Sequence, residues 1–261
     1  MSDRYGLLGK NITYSKSPKI HTLMAKRLGM DITYDLLDVS EDDLPKFIKQ
    51  LRQGIFKGFN VTIPYKQKIL PFLDELTPKA KRIRAVNTIY LKNDKVIGDN
   101  TDYDGFLGLI TKHQIDVKDK QVCILGSGGA AKAVYTVLSD LGAHIVVVSR
   151  QIEDHDPLFK KVITYDALKH HACDIFVHTT PIGTAPKVDA SVLSASEVNH
   201  ALVIDLIYQP PVTQLMRFAK ESYNGLYMLM IQALKSEEIW FDRKIDLNDQ
   251  LMEILKEVIY R

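Results

Sequence analysis

The sequence predicts an α/β protein of two parts, each a mostly parallel sheet covered by helices. Short apolar runs alternate with helical repeats along the whole chain, the pattern of βα units. The strand-like runs of the second half are apolar throughout rather than alternating, as in strands covered on both faces. The length of 261 residues suits one large domain or two smaller ones, at roughly 100–200 residues per domain, and needs no disulfide or metal to staple a core.

Tyr5 to Gly9 reads as a short strand. Ser17-Pro18 then reads as an N-cap with proline at the first helical position, where its missing N–H costs nothing. Ile20, Leu23, Met24 and Leu28 fall on one helical face, and Gly29 closes that helix. Ile32 to Val39 is the next strand, and Glu41 to Gln53 a helix turning Leu44, Phe47, Ile48 and Leu51 inward. Phe59 to Ile63 is a third strand, ended by Pro64. Helical patterns surround Leu70 and Ala80, and Val86 to Leu91 with Lys95 to Gly98 form a strand pair joined at Asn93-Asp94.

The second half repeats the logic, with strands at Gln121 to Leu125, Ala143 to Val148, Asp174 to Val177 and Ala201 to Leu206. A helix runs through Val134, Val137, Leu138 and Leu141 to Gly142, and three amphipathic helices finish the chain at roughly 211–222, 226–241 and 247–260. Nothing resembles a flexible linker, so the boundary between the parts is a helix, Thr101 to His113.

Between the first of these strands and its helix stands Gly126-Ser127-Gly128-Gly129-Ala130-Ala131, which fits G-x-G-x-x-A. The first glycine permits the turn, the second lets a pyrophosphate approach the backbone, and the small third residue lets helix pack on sheet. Free N–H groups and the helix dipole favour the anion. A tight βα turn alone needs less, and the strand–turn–helix–strand setting points to a Rossmann-type dinucleotide-binding domain. About 20 residues beyond the glycines an NAD site places a carboxylate for the ribose 2′-OH. This chain has Val148-Ser149-Arg150-Gln151 there, so Arg150 is placed to pair with a 2′-phosphate, favouring NADP. An arginine ending a strand in solvent is the plainer alternative, and Glu153 and Asp154 nearby keep it open.

The 34 basic and 32 acidic residues leave a net charge of +2, spread along the chain, which offers nothing to nucleic acid or a membrane surface. No apolar run approaches the ~20 residues of a membrane span. Cys123 and Cys173 read as free thiols of a reducing, cytoplasmic compartment, and the eight histidines show no metal-ligand spacing.

Taken singly, the remaining polar residues are ambiguous. A lysine after a strand, as in Asn60-Val61-Thr62-Ile63-Pro64-Tyr65-Lys66, is ordinarily a solvated charge. Asp102 in a helix's first turn complements the dipole, and Thr101 with Asp104 has capping-box spacing. Ser15 and Ser17 suit a turn and a cap, and Gln232 suits a satisfied polar position in a helix.

Taken in order, these segments resemble the shikimate dehydrogenase family over essentially the whole chain. The matching stretches are Ser15-Lys16-Ser17-Pro18 with Ile20-His21, Gly58 to Lys66, Ala85-Val86-Asn87-Thr88, and Gly98-Asp99-Asn100-Thr101-Asp102 with Gly105-Phe106. After the glycine turn follow Thr180-Pro181-Ile182-Gly183, Asp205 to Pro210, and Met228-Leu229 with Gln232-Ala233. The resemblance implies reversible reduction of 3-dehydroshikimate to shikimate with NADPH, on the way to chorismate, by a monomer or homodimer. It implies a substrate-binding and catalytic domain of residues 1–102 joined by the C-terminal helix 238–261, and an NADP-binding domain of residues 103–237.

By that match Lys66 and Asp102 are the acid–base pair. Ser15, Ser17 and Thr62 hold the substrate carboxylate with Tyr208 nearby, and Asn60, Asn87 and Gln232 complete the substrate site. Gly126, Ser127, Gly128, Gly129, Ala130, Ser149, Arg150, Thr180, Pro181, Ile207 and Gly225 meet the cofactor. No metal is implied.

Departures concentrate at the cofactor side. Ser149 and Gln151 flank Arg150 where Asn and Thr are usual, His178-Thr179 replaces Asn-Ala, Thr184 replaces methionine and Tyr227 replaces glycine. Nearer the substrate residues, Lys10-Asn11 and Tyr14 stand where Asn-Pro and His are usual, and Arg84 replaces a glycine. The competing expectations are a quinate or dual-substrate enzyme and a non-catalytic sensor.

Overall fold

The computed structural model describes residues 2–153 and 155–260; Asp154 lies outside the described residues. The chain forms two compact units, Met1–Gly105 with Met230–Arg261, and Phe106–Leu229.

The first unit begins β1 (Asp3–Gly9), α1 (Ser17–Arg27), β2 (Ile32–Asp38), α2 (Leu44–Arg52), β3 (Gly58–Val61) and α3 (Tyr65–Lys68). It continues β4 (Glu75–Leu76), α4 (Pro78–Ile83), β5 (Thr88–Lys92), β6 (Lys95–Asp99) and the start of α5 (Asp102–Lys112). Its sheet has the order β2-β1-β3-β5-β6-β4. Strand β1 lies parallel to β2 and β3, and β4 parallel to β6, while β5 runs antiparallel to both β3 and β6. The sheet is therefore mixed. The antiparallel pair follows from the tight turn at Asn93 and Asp94, both left-handed with φ of 50° and 60°, a conformation these two residue types tolerate.

One apolar cluster packs Leu44, Ile48 and Leu51 of α2 against Phe59, Val61 and Ile89. Another gathers Tyr5, Leu7, Ile12, Ala25 and Tyr34 with Trp240 and Phe241. Helix α1 differs from the expectation at its start. Ser17 is its first residue rather than its cap, and its N–H donates to the Ser15 hydroxyl at 3.2 Å, so the cap-like acceptor is Ser15.

The second unit holds β7 (Gln121–Leu125), α6 (Gly129–Asp140), β8 (His144–Val148), β9 (Val162–Ile163), α7 (Tyr165–Leu168) and β10 (Ile175–His178). Then come α8 (Ala195–Val198), β11 (Leu202–Asp205), α9 (Gln214–Arg217) and β12 (Ser222–Asn224). The order β12-β11-β10-β7-β8-β9 is parallel throughout. Counted within the unit this is 6-5-4-1-2-3, the Rossmann arrangement, whose order reverses beside its first strand and opens a crevice at the strand C-termini.

The helix expected over 211–222 is not formed. Thr213 accepts from the Met216 N–H and caps only the four-residue α9, after which Ser222–Asn224 pairs with β11 as an edge strand. Parallel pairing there prevails over the helical repeat of the local sequence.

Helices α10 (Leu226–Phe241) and α11 (Asp249–Tyr260) complete the chain. The first unit takes the chain back at Met230 rather than at 238, because Gln232 and Ser236 are bonded into its polar interior. No helix among the described residues is long and apolar enough to cross a membrane.

Candidate active site

Strand β3 runs into α3 through a turn in which the Tyr65 N–H donates to the Thr62 carbonyl at 2.8 Å. Tyr65 anchors that turn: its side chain is buried and its hydroxyl donates to the Val39 carbonyl at 2.6 Å. Lys66, the next residue, is tied through its carbonyl to the Val86 N–H ahead of β5. Its Nζ donates to Asp102 Oδ2 at 2.5 Å, and the two side chains are only 15% and 8% exposed. A strand-end lysine this enclosed, facing one carboxylate, is not a solvated surface charge.

Asp102 is held in turn. Its N–H donates to Asn100 Oδ1 at 3.1 Å, and Asn100 Nδ2 donates to the Ala85 carbonyl at 2.8 Å. Its second oxygen, Oδ1, accepts from Asn87 Nδ2 at 3.0 Å, and the same amide reaches Gln232 Oε1 at 3.3 Å. Asn87 Oδ1 accepts from the Thr101 N–H at 2.7 Å. The Thr101 hydroxyl lies in this network too, while Asp104 pairs with Lys79, so the capping-box spacing serves other partners. Lys66, Asp102, Asn87 and Gln232 are thus one bonded set drawn from α3, α5, the entry to β5, and α10.

Asn60 connects this set to α1. Its Nδ2 lies within reach of the Asn87 carbonyl, the Thr88 hydroxyl and the Ser236 hydroxyl, at 3.1, 3.3 and 2.9 Å, and its Oδ1 accepts from the Tyr34 hydroxyl at 2.8 Å. Its amide is therefore occupied by protein partners. Burial raises the Tyr34 phenol well above its ordinary value, against the pull of the Ser17 hydroxyl beside it. Ser15 Oγ donates to Ser17 Oγ at 3.1 Å, placing both hydroxyls at the start of α1. Thr62 follows β3, its N–H donating to the Leu8 carbonyl. Sequence alone does not single out Tyr34 or Ser236, and it names Thr88 and Thr101 only in the matching stretches, Thr101 also for its capping-box spacing. Ser236 had a readable signal, standing four residues after Gln232 on one helical face.

In the second unit Tyr208 follows β11, and the glycine turn joins β7 to α6. Gly126 has φ +113°, and a Cβ there would lie 2.7 Å from Thr179 Oγ1 and 2.8 Å from Thr180 Cγ2, so only glycine fits. Among the described residues nothing stands within 4 Å of a Cβ built on Gly128, the N-cap residue of α6, ahead of Gly129 and Ala130. Ser127 Oγ and Ser149 Oγ lie 3.2 Å apart, and the exposed Arg150 forms no ion pair among the described residues. These features fit a dinucleotide carrying a 2′-phosphate.

Across the turn, His178 Nε2 meets Thr180 Oγ1 at 2.5 Å and His178 Nδ1 meets Asp205 Oδ1 at 3.0 Å. Asp205 Oδ2 accepts from the Thr213 hydroxyl at 2.6 Å. His178 ties the Thr180 hydroxyl, next to Pro181, to the Asp205 carboxylate. The histidine that departs from the family pattern is thus a buried orienting residue. Gly225 donates its N–H to the Ile207 carbonyl at 3.2 Å, and a Cβ there would lie 2.0 Å from the Leu206 carbonyl oxygen, so Ile207 and Gly225 are held together. Cys123 and Cys173 are free, and burial raises the Cys173 thiol.

A lysine ammonium sealed beside a carboxylate is suited to moving a proton at a substrate oxygen, and a Rossmann crevice to presenting a dinucleotide. Known proteins are similar to this chain over most of its length. The shikimate dehydrogenase substrate binding domain family matches residues 7–89. The NADP(+) shikimate dehydrogenase of Clostridium beijerinckii is 40% identical over 251 residues, covering 93% of each chain. Among solved structures, the chorismate mutase/shikimate 5-dehydrogenase fusion protein of Clostridium acetobutylicum is 37% identical with a TM-score of 0.94, covering 100% of both chains. The shikimate 5-dehydrogenase of Thermus thermophilus, solved with NADP(H) and shikimate, is 29% identical with a TM-score of 0.87, covering 98% of this chain and 99% of that one.

Proposed function

The chain belongs to the shikimate dehydrogenase family and is an NADP-dependent oxidoreductase interconverting 3-dehydroshikimate and shikimate; on that premise we propose that Lys66 and Asp102 are its acid–base pair. The observation that carries the proposal is the enclosed 2.5 Å contact of Lys66 Nζ with Asp102 Oδ2, braced by Asn87.

Bound NADP(H) supplies the hydride acceptor or donor. In the oxidative direction the neutral Lys66 amine takes the proton of the reacting hydroxyl, and the Asp102 carboxylate stabilises the ammonium that forms. In the reductive direction the ammonium returns the proton as negative charge develops on the ketone oxygen. Asn87 and Gln232 orient the ring oxygens, and Asn87 also fixes Asp102 through Oδ1. The hydroxyls of Ser15, Ser17 and Thr62 hold the substrate carboxylate. Asn60 supports this wall from behind, its amide being bonded to Tyr34 and Ser236. Backbone N–H groups at Gly128 to Ala130 receive the pyrophosphate, and Arg150 with Ser127 and Ser149 receives the 2′-phosphate.

Initial rates with shikimate and with quinate, each against NADP+ and NAD+, test this reading. Shikimate with NADP+ is expected to give the highest kcat/KM, and a quinate preference beyond about tenfold would overturn the substrate assignment. Arg150→Ala is expected to lower kcat/KM for NADP+ by about 10–100-fold and leave that for NAD+ nearly unchanged. Equal losses with both cofactors would show that Arg150 does not read the 2′-phosphate.

A further inference from the structure

Behind the substrate-side residues of the first unit lies a titratable pair that the proton transfer does not use. His21 of α1 and Glu237 of α10 are both fully buried, with Nδ1 and Oε1 2.7 Å apart. Their outer atoms, His21 Nε2 and Glu237 Oε2, are buried without a hydrogen-bond partner among the described residues. The imidazole stacks on Tyr34, with ring centroids 4.4 Å apart and planes 14° from parallel, and Trp240 stands beside both rings, its centroid 5.4 Å from His21 and 6.4 Å from Tyr34. Trp240 is itself fixed, since its Nε1 donates to the Ile89 carbonyl and its ring fills the space over Gly58 where a Cβ would stand.

We propose that His21 and Glu237 form an uncharged, solvent-sealed hydrogen-bonded pair that positions Ser17 and Asn60 through Tyr34. The inference rests on the substrate-binding role given above to the wall that carries Ser17.

Two ions taken out of water are stabilised only when their remaining donors and acceptors are also satisfied. Here each partner has one contact and one orphaned atom, so the ionic form lacks that compensation. In the neutral form Glu237 keeps its proton and donates it to Nδ1, and His21 carries its own proton on Nε2. Burial pushes the two groups toward this form together: it drives the imidazole down to about 3, against the pull of the nearby Asn60 carboxamide, and raises the Glu237 carboxyl well above its ordinary value. The bond to Glu237 fixes the plane of His21, and the stacked ring fixes Tyr34. The Tyr34 hydroxyl then faces Asn60 Oδ1 and stands beside Ser17. His21 and Glu237 touch no substrate on this account and are positioning residues.

Infrared difference spectroscopy of the full chain against Glu237→Gln tests the protonation state. The expected result is a deuterium-sensitive carbonyl band of a protonated carboxylic acid at pH 7.5, and a carboxylate band in its place would overturn the proposal. Glu237→Gln, which keeps a neutral partner for His21, should leave kcat and the shikimate KM within about twofold of wild type. A larger change would also overturn it.

The double variant His21→Phe/Glu237→Leu fills the same space with apolar groups and keeps a ring on Tyr34. It is expected to melt at or above the wild-type temperature while raising the shikimate KM about tenfold, with the NADP+ KM unchanged. A merely structural pair predicts a native shikimate KM in that variant, which would contradict the positioning role. Should the double variant not fold, Glu237→Leu alone is expected to melt below wild type and to raise the shikimate KM likewise, and a native shikimate KM there would contradict the positioning role. Wild-type protein without shikimate turnover would defeat the functional reading, whereas the infrared band reports on the pair regardless.

Discussion

Replacing Lys66 with alanine is expected to lower kcat by about 10²–10⁴-fold in both directions, with the KM values for shikimate and NADP+ changed by no more than a few fold. The physical basis is the separation of roles in the proposed site. The substrate carboxylate and ring are held by Ser15, Ser17, Thr62, Asn87 and Gln232, whereas Lys66 meets the oxygen whose charge changes during the reaction. Its removal deletes an interaction made mainly in the transition state. Thermal melting is the necessary control, because the variant leaves Asp102, 8% exposed in its side chain, without its cation. Asn87 and the Asn100 carboxamide still hold that residue, so the fold is expected to survive.

Asp102→Asn is expected to lower kcat by roughly 10²-fold, with substrate binding again close to wild type. An asparagine keeps the shape of the side chain but removes the charge that Lys66 Nζ meets. Since the two groups act as one unit, the double variant Lys66→Ala/Asp102→Asn should be no slower than Lys66→Ala alone. Multiplying losses would mean that the two residues serve separate steps. Kinetics of the two single variants and the double variant, analysed as a cycle, decide this.

Much of the architecture could be read from local pattern because the strands of the second unit are short, continuous and apolar. The glycine turn announced the first βα crossing, and Gly126 has the positive φ that the motif requires. The mixed character of the first sheet was half visible. The Asn93-Asp94 turn marks the antiparallel pair, but β4, two residues at an edge, is defined by its partner β6 and carries too little pattern to detect. The helix expected over 211–222 fails for a related reason: Ser222–Asn224 is a strand because β11 offers it an edge. Such tertiary pairing leaves no period in the sequence.

The candidate site divides in the same manner. Lys66, Asp102, Asn87 and Gln232 stand in recognisable segments, but nothing in their spacing states that one carboxamide touches Asp102 and Gln232 together. Single polar residues inside apolar helices, such as His21, Ser236 and Glu237, look alike from sequence. Only burial separates them, and each here is fully enclosed. At the cofactor side the substitution of His178 looked like a loss of pattern. In the fold it has Asp205 and Thr180 as partners.

The most direct test of the proton-transfer role is chemical rescue of Lys66→Ala by small primary amines, read as the rate of shikimate-dependent NADP+ reduction. The account predicts that amines fitting the vacated space restore turnover in proportion to their concentration, and more effectively as their basicity rises, while wild type and Asp102→Asn do not respond. Turnover in Lys66→Ala equal to wild type without added amine would contradict it.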